Sequence, residues 1–550
     1  MFTRFSLGGK RGSESHTVLA QTAKARRWLD NLPLLNPVEA VARMHKALSA
    51  LTSTKLGAGQ RLEVLEIVHQ TVGTVSNQVI KRRSGASLPL SKTNQDATDL
   101  LASLHQAMVT SYLQVSETFE SQKSSKRNDN SSHALALNRA LFYLNEQCME
   151  CYRIYQPIEP GMWQRVHQII QTAFAHKLTR CPLASNVQDA AEGRILDLYK
   201  RMLLVALANP YQLAPTMVDK TYARTTEWAP MVGLKRQADD TTMRCRFTID
   251  LNADSPANFI CGDQSGETPA EHLVLDTSKL VIVLYQHIRE LERHMNTTKD
   301  TDQVTVERDE SQFIQQLIVH WGGKARRAGS RTTPSDNREV VIGLDSINFF
   351  LNGGQLFEPS GLQRMKPVSG TFGYQQSQAN PHAVDVDWIC VDESRAGMQI
   401  TKQDTETTRI RVGELVAVRR AGTSNAWDVG VIRWVRNQRP NTISFGMYKL
   451  APVACAAAVQ GESPGHGYQQ CLVLPKVTTK ARCHSMVTPR GVFSTNKELL
   501  LHTSEELQRV SLSRLVMATF SFEWFEYEPV SKRALFPFQT DETLLESASA

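Results

Sequence analysis

At 550 residues the chain is long enough for roughly two to four domains, because single hydrophobic cores rarely grow beyond about 250 residues. Its 41% hydrophobic and 21% charged residues are typical of a globular protein and exclude the fibrous and disordered classes. The net charge of +7 is not concentrated in a recognisable basic stripe, so it does not indicate a protein that binds duplex nucleic acid.

The cysteines and the N-terminus both bear on the cellular compartment. Nine scattered cysteines do not form the even, regularly spaced set of a secreted disulfide scaffold. The first residues, MFTRFSLGGKRGSES, lack the apolar segment of a signal peptide, and no apolar run reaches the roughly 18 residues of a membrane span. These features predict a cytoplasmic protein without a membrane span.

The first part of the chain is predicted to be helical. After a flexible N-terminus over residues 1–15, an all-helical domain is expected over 16–230. Asn36, Pro37 and Glu39 have the pattern of a helix start. Apolar side chains recur at helical spacing, as at Leu101, Leu104, Met108 and Tyr112. No exact repeat is recognisable, so a bundle and a solenoid both remain open.

A connecting region of mixed α and β structure is predicted over residues 231–323. The alternating sequence RCRFTIDL (244–251) predicts a strand. A helix is predicted over about 277–294, with Asp276 as its N-cap, and a second helix over about 307–321.

The remaining chain is predicted to be β-rich. Regularly spaced, short β-branched or aromatic runs favour a closed or nearly closed barrel over residues 324–457, followed by a β-rich extension over 458–539 and a disordered tail over 540–550. The runs are EVVIGL (339–344), DWICV (387–391), GMQIT (397–401), GELVAVRR (413–420), WDVGVIRWV (427–435), TISFGMYKL (442–450) and QCLVLPKV (470–477). The predicted fold class is therefore α+β, with an N-terminal all-helical domain before an antiparallel barrel that has extra C-terminal strands.

Two short motifs carry the candidate site. The first, KARRAGSR, follows the last predicted helix and precedes EVVIGL, and the second, VDESRAGMQI, lies between two predicted strands. The candidate ligand-binding residues are Arg326, Arg327 and Arg331 in the first motif and Asp392, Ser394 and Gly397 in the second.

Together these motifs resemble the PilZ family of cyclic di-GMP receptors, which pairs an RxxxR loop before the first barrel strand with a D/NxSxxG turn between later strands. Residues 327–331 match RxxxR and residues 392–397 match DxSxxG, in the family's order. The resemblance implies a PilZ-like barrel over 324–457 that binds cyclic di-GMP, with no cofactor and no metal. It also implies a bacterial signalling role connected with motility, pili or biofilm, and a protein partner bound through the helical domain.

The residue types suit a dianion that contains two guanines. Arginine forms bidentate hydrogen bonds to phosphate or to a guanine edge, and its planar guanidinium stacks on bases. Asp392 and Ser394 present oxygen acceptors from a turn, and Gly397 permits a sharp turn or a close backbone approach. The segment between the motifs is longer than the family usually has, and residues 348–381 are predicted to form an inserted surface loop.

The sequence also allows other functions and other roles for individual residues. The main alternative function is a PilZ-fold protein-interaction module that no longer binds nucleotide. A nucleic-acid-binding barrel is less favoured, and an enzyme is not expected because GxxxxGK[ST] and GxSxG are both absent. Cys148 and Cys151 form a CxxC pair, for which core packing is favoured over metal or redox chemistry. Core and rim packing is likewise favoured over base stacking for Trp388, Trp427 and Trp434.

Overall fold

The protein is represented by a computed structural model. The structure describes residues 18–83, 88–121, 127–183, 194–236, 245–259, 272–298, 300–323, 332–359, 383–403, 410–423, 427–438, 442–461, 467–475 and 483–530. Over these residues the chain forms a group of helices, a four-stranded sheet with two further helices, and two closed antiparallel barrels. The predicted α+β class, with a helical N-terminal part followed by a barrel, is confirmed.

The N-terminal part is a helical bundle. Its α-helices are α1 (Thr22–Asp30), α2 (Pro37–Thr52), α3 (Ala58–Arg83), α4 (Lys92–Ser121), α5 (Arg127–Arg153), α6 (Met162–Ala175), α7 (Ile195–Leu207) and α8 (Pro215–Trp228). Asn36 caps α2, since its Oδ1 accepts a 3.4 Å hydrogen bond from the Glu39 amide. Helix α2 packs on α3 and α4, and helix α5 packs on α4, α6, α7 and α8.

The core of this bundle also contains buried polar groups. His105 on α4 is 1% exposed, and its Nε2 lies 3.0 Å from the Ser76 hydroxyl. Burial lowers the pKa of His105 to about 4, because a charged imidazolium would lose its hydration there. The folded state therefore holds this histidine neutral at physiological pH.

The connecting region adds a sheet and a helical hairpin. Strands β1 (Gly233–Lys235), β2 (Arg246–Asp250), β3 (Asn258–Phe259) and β4 (His272–Asp276) are arranged in the order β1-β4-β2-β3, and helices α9 (Ser278–Thr297) and α10 (Thr301–Trp321) follow. The N-cap of α9 is Thr277 rather than Asp276, although the Asp276 carboxylate accepts a 2.9 Å hydrogen bond from the Ser278 amide.

Helix α10 starts well before residue 307, which corrects the predicted boundary. Asp300 is its N-cap, and Asp300 Oδ1 accepts the amides of Asp302 and Gln303 at 3.0 and 3.2 Å. The far end of α10 joins the core of the bundle through Trp321. Its indole packs edge-on against Trp228, with ring centroids 5.3 Å apart. The connecting region and the helical bundle thus share one hydrophobic core.

The first barrel closes in the strand order β10-β7-β6-β5-β8-β9. Its strands are β5 (Asn337–Ile342), β6 (Asp385–Ser394), β7 (Gly397–Gln403), β8 (Leu415–Arg420), β9 (Asp428–Gln438) and β10 (Thr442–Ala451). Inward-facing apolar side chains fill it, among them Ile400, Ile432 and Phe445. At one end the bundle covers this core, because Tyr155 packs into it and its carbonyl accepts a 2.8 Å hydrogen bond from the Asn437 amide.

The C-terminal strands form more than an extension, because they close into a barrel of their own. Strands β11 (Cys455–Gly461), β12 (Tyr468–Leu474), β13 (Ser485–Thr488), β14 (Glu498–His502), β15 (Leu507–Ala518) and β16 (Glu523–Pro529) close in the order β11-β12-β13-β16-β15-β14. The outer face of the first barrel, including Ala417 and Val429, packs on Leu472 and Trp524 of the second barrel. The two barrels therefore share an apolar interface.

The start of the predicted inserted loop is a helix, which corrects that expectation. Helix α11 (Leu344–Leu351) follows β5 and packs between the two barrels. Asn348 is fully buried, and its Nδ2 donates to the carbonyls of Ala457 at 3.1 Å and Cys471 at 3.0 Å. The polar composition suggested a loop, but this amide satisfies carbonyls of the second barrel. Residues 360–381 of the predicted loop lie outside the described part of the chain.

Within the described residues, no helix is long and apolar enough to cross a membrane.

Candidate functional site

The two sequence motifs differ in how far the structure describes them. Arg326, Arg327 and Arg331 lie outside the described residues, whereas Asp392, Ser394 and Gly397 lie within them. The described chain ends at Gly323, after α10, and resumes at Thr332, the residue that follows Arg331. The position of Thr332 therefore shows where the arginine segment rejoins the barrel.

Thr332 pairs directly with the second motif. It forms an antiparallel bridge with Glu393, in which the Thr332 amide donates to the Glu393 carbonyl at 2.9 Å and the Glu393 amide donates back at 2.8 Å. Glu393 lies between Asp392 and Ser394. Thr332, which follows the arginine motif in the sequence, therefore lies beside the DxSxxG hairpin.

The second motif forms the tight hairpin between β6 and β7. Ser394 pairs with Gly397 across a loop made of Arg395 and Ala396. The Ser394 hydroxyl donates to the Gly397 carbonyl at 3.1 Å, which fixes its rotamer. Its oxygen retains acceptor capacity, because a hydroxyl offers lone pairs in addition to its single proton.

Gly397 is required by a close backbone approach. A Cβ at this position would clash with the carbonyl oxygen of Met447 on β10. Strand β10 also bonds to the turn itself, because the Lys449 amide donates to the Ala396 carbonyl at 2.9 Å. Strand β10 thus supports the turn of the hairpin, and a side chain at residue 397 would separate the two.

A β-bulge turns Asp392 outward. Cys390 pairs with Ile400 and Asp392 pairs with Gln399, so Val391 is an extra residue in β6. Without it, Asp392 would continue the inward series of Trp388 and Cys390, which are both fully buried. Bulges commonly re-aim a side chain next to a functional site, and this one moves a carboxylate out of the barrel core.

Glu393, the next residue, faces inward, on the opposite side of the strand from Asp392. Its side chain joins a cluster of charged residues beside the DxSxxG hairpin. Its Oε2 accepts from Arg338 Nη2 at 2.8 Å, and its Oε1 accepts from Lys449 Nζ at 2.7 Å. Arg338 also binds Asp336, and Lys449 also binds Asp428 at 2.9 Å. The cluster comprises Asp336, Arg338, Glu393, Asp428 and Lys449, and it is called the ionic cluster below.

Burial and ion pairing have opposite effects on the pKa values of the ionic cluster. Burial alone would raise the pKa of Glu393, but Lys449 and Arg338 outweigh that effect and lower it. Burial raises the pKa of Asp428 despite its contact with Lys449. The pKa of Lys449 is raised, since its two carboxylate neighbours outweigh the desolvation that would lower it.

The charged residues of the ionic cluster were not predicted from the sequence, although the sequence contains a signal for them. Arg338 is in phase with the inward-facing Val340 on β5, and Lys449 is in phase with Met447 on β10. A charged residue in phase with core residues at a strand end must find a partner or leave the core. Several such positions in one predicted barrel therefore indicate a shared cluster of charges.

Other sequence candidates have structural roles. Trp388 and Trp427 are buried, and Trp434 covers Gly446, where a Cβ would clash with the indole. Cys148 is buried in the bundle core, and burial raises the pKa of its thiol. No group of side chains suited to hold a metal ion occurs among the described residues. These observations agree with the interpretation that the three tryptophans and Cys148 are packing residues.

The six-stranded barrel and the DxSxxG hairpin, with an RxxxR motif just before Thr332 in the sequence, are the features of a PilZ domain, and the chain contains such a domain. Its successive parts are similar to the domains of one known protein, FimW. Residues 23–239 match "Cyclic-di-GMP receptor FimW, N-terminal domain". Residues 246–388 and 373–455 match "Cyclic-di-GMP receptor FimW, middle PilZ domain", and residues 454–530 match "FimW C-terminal beta-barrel domain".

A curated relative covers nearly the whole chain. The protein named Cyclic-di-GMP receptor FimW from Pseudomonas aeruginosa is 22% identical over 92% of this chain and 90% of its own length. No solved structure matches the chain.

Proposed function

We propose that this protein is a bacterial receptor for cyclic di-GMP and that it binds the nucleotide at its PilZ barrel. The observation that carries the proposal is the pairing of Thr332 with Glu393, because it joins the end of the RxxxR segment to the DxSxxG hairpin. The similarity to FimW along the chain supports the same ligand. A receptor role also agrees with the family names, which describe a receptor and not an enzyme.

The proposed binding residues divide into two groups by chemistry. Arg326, Arg327 and Arg331 supply charge and planar stacking groups to the phosphates and guanines. Asp392 and Ser394 present acceptors to guanine N–H groups from the outer side of the hairpin. Gly397 allows the hairpin to lie against β10, so that these acceptors have fixed positions.

The output of this receptor is proposed to be a contact with another protein. The helical bundle is proposed to provide the contact surface, and Leu35, which is 95% exposed there, is a candidate contact residue. We expect a cytoplasmic protein that acts in motility, pilus or biofilm control, with no catalytic activity of its own.

Isothermal titration calorimetry with cyclic di-GMP tests the proposal, with GTP and cyclic di-AMP as controls. The expected dissociation constant is micromolar or tighter, which corresponds to about −8 kcal/mol or better. The controls are expected to bind much more weakly, because the site must match two guanines and two phosphates together. No heat and no chemical-shift change at high ligand excess would overturn the receptor function and favour a pure protein-interaction module.

A further inference from the structure

We propose that Glu393, the unspecified position between Asp392 and Ser394 in the DxSxxG motif, is the positioning residue that fixes this hairpin of the nucleotide site. The inference rests on the proposed function and adds a residue that does not itself need to touch the ligand. Its basis is that one residue uses its backbone and its side chain to join four separate segments of the barrel.

The backbone of Glu393 joins the hairpin to Thr332, the residue that follows Arg331 in the sequence. The two residues exchange hydrogen bonds of 2.9 and 2.8 Å. These bonds extend the antiparallel pairing of β6 beyond β5 as far as Thr332. Any displacement of Glu393 therefore moves both the hairpin and Thr332.

The side chain of Glu393 joins the hairpin to two further strands. Its carboxylate binds Arg338 on β5 at 2.8 Å and Lys449 on β10 at 2.7 Å. The side chain is 19% exposed and that of Arg338 is 3% exposed, so water competes only weakly for these bonds. Charge-assisted hydrogen bonds of this kind are among the stronger ones in proteins.

This arrangement suits a positioning role because the bulge at Val391 interrupts the regular pairing of β6 with β7 just before the hairpin. Asp392 is turned outward, away from the core that holds Trp388 and Cys390. Glu393 is the next residue and is held by two cations, so its carboxylate fixes the direction in which Asp392 and Ser394 point. Binding groups held in place before the ligand arrives lose less entropy on binding, which increases affinity.

The isosteric change Glu393→Gln separates this role from folding. Arg338 keeps Asp336, and Lys449 keeps Asp428, so neither cation is left buried without an anion. The matched control is Glu339→Gln on the same barrel. Glu339 is also 19% exposed and binds one arginine, Arg419, at 2.6 Å.

We expect Glu393→Gln to weaken cyclic di-GMP binding by at least about tenfold, near the lower end of the range for losing a charge-assisted hydrogen bond. Glu339→Gln is expected to bind like the wild type, and thermal unfolding should show similar midpoints for the two variants. Equal affinity of Glu393→Gln and the wild type would overturn the inference. Failure of the wild type to bind would instead overturn the proposed function.

A double-mutant cycle with Ser394→Ala distinguishes positioning from general stabilisation. If Glu393 acts by orienting the hairpin, Glu393→Gln should weaken binding less when Ser394 has already lost its hydroxyl. The same loss in both backgrounds would contradict a positioning role. If Glu393→Gln does not fold, Lys449→Gln is used in the same cycle. This change removes the ion pair between Glu393 and Lys449 by altering the lysine instead of the glutamate.

Discussion

Asp309 on α10 and Arg490 in the second barrel form an ion pair in which Arg490 Nη2 lies 2.7 Å from both carboxylate oxygens of Asp309. The next residue, Glu310, binds Lys220 and Arg224 of α8 at 2.6 and 2.7 Å. Helix α10 is thus held between the bundle and the second barrel. It also precedes the arginine segment, so a movement of that segment reaches both neighbours through one helix.

Cyclic di-GMP is predicted to change hydrogen exchange beyond the two motifs. When the arginines close over the ligand, the C-terminal end of α10 should move, and α8 should respond through Glu310. Exchange measured with and without ligand should therefore change in α10 and α8. Arg490→Ala should alter the response in residues near 490 and leave that of α8 in place. Changes confined to the two motifs would show that no signal leaves the barrel.

Arg327→Ala and Arg331→Ala should each weaken cyclic di-GMP binding by about 1.5–3 kcal/mol, the range for hydrogen bonds to charged groups. Calorimetric titration measures this loss, and thermal unfolding should show a nearly unchanged midpoint. Arg509→Ala, a largely exposed arginine in the second barrel, is the control and should bind normally. Normal binding by either motif variant would remove that arginine from the site.

Gly397→Ala should destabilise the protein as well as weaken binding. The new methyl group would clash with the Met447 carbonyl, and overpacking of this kind costs about 1–3 kcal/mol. Gly461→Ala is the matched strand control, because its methyl group would meet no atom within 4 Å. Urea unfolding of both variants tests the difference. A wild-type midpoint for Gly397→Ala would mean that β10 does not approach the hairpin as closely as described.

His105 should make folding stability depend on pH below neutrality. Its pKa is about 4 in the folded state and 6.5 in the unfolded reference, so the unfolded chain binds more protons between these values. Stability should therefore fall as the pH decreases from 6.5 to 4, by up to about 3 kcal/mol from this residue. His105→Gln should flatten that slope in urea unfolding measured across the range. The same substitution at the partly exposed His287 should leave the slope unchanged, and an equal effect of both would contradict the assignment to His105.

The elements with strong periodicity were predictable from the sequence, and those that depend on distant partners were not. The helical stripe through Leu104 and Met108 is buried as expected, because amphipathic spacing is a local property. Closure of the C-terminal strands into a second barrel depends on pairing between β11 and β14, which local sequence does not encode. Helix α11 was missed for a related reason, since Asn348 is polar but finds its partners far along the chain.

The candidate site shows the same division. Asp392, Ser394 and Gly397 could be proposed from the sequence because they form a motif, and the close approach to Met447 gives a physical reason for the glycine. Glu393 was passed over, because in a motif its position is variable and its partners lie on other strands. Only the register of β5 and β10 brings Arg338 and Lys449 to it. The bulge at Val391 could not be predicted either, because one extra residue in a strand does not change the composition of the sequence around it.

The apolar interface between the barrels determines how a shortened form of this protein would behave. A chain ending at Ala451 would retain both nucleotide motifs and every strand of the first barrel. It would also expose to water the face that includes Trp427 and Val429, which Phe522 and Trp524 normally cover. Exposed patches of this kind cause self-association. Poor solubility of such a fragment would therefore reflect a missing neighbour, not a misfolded PilZ domain.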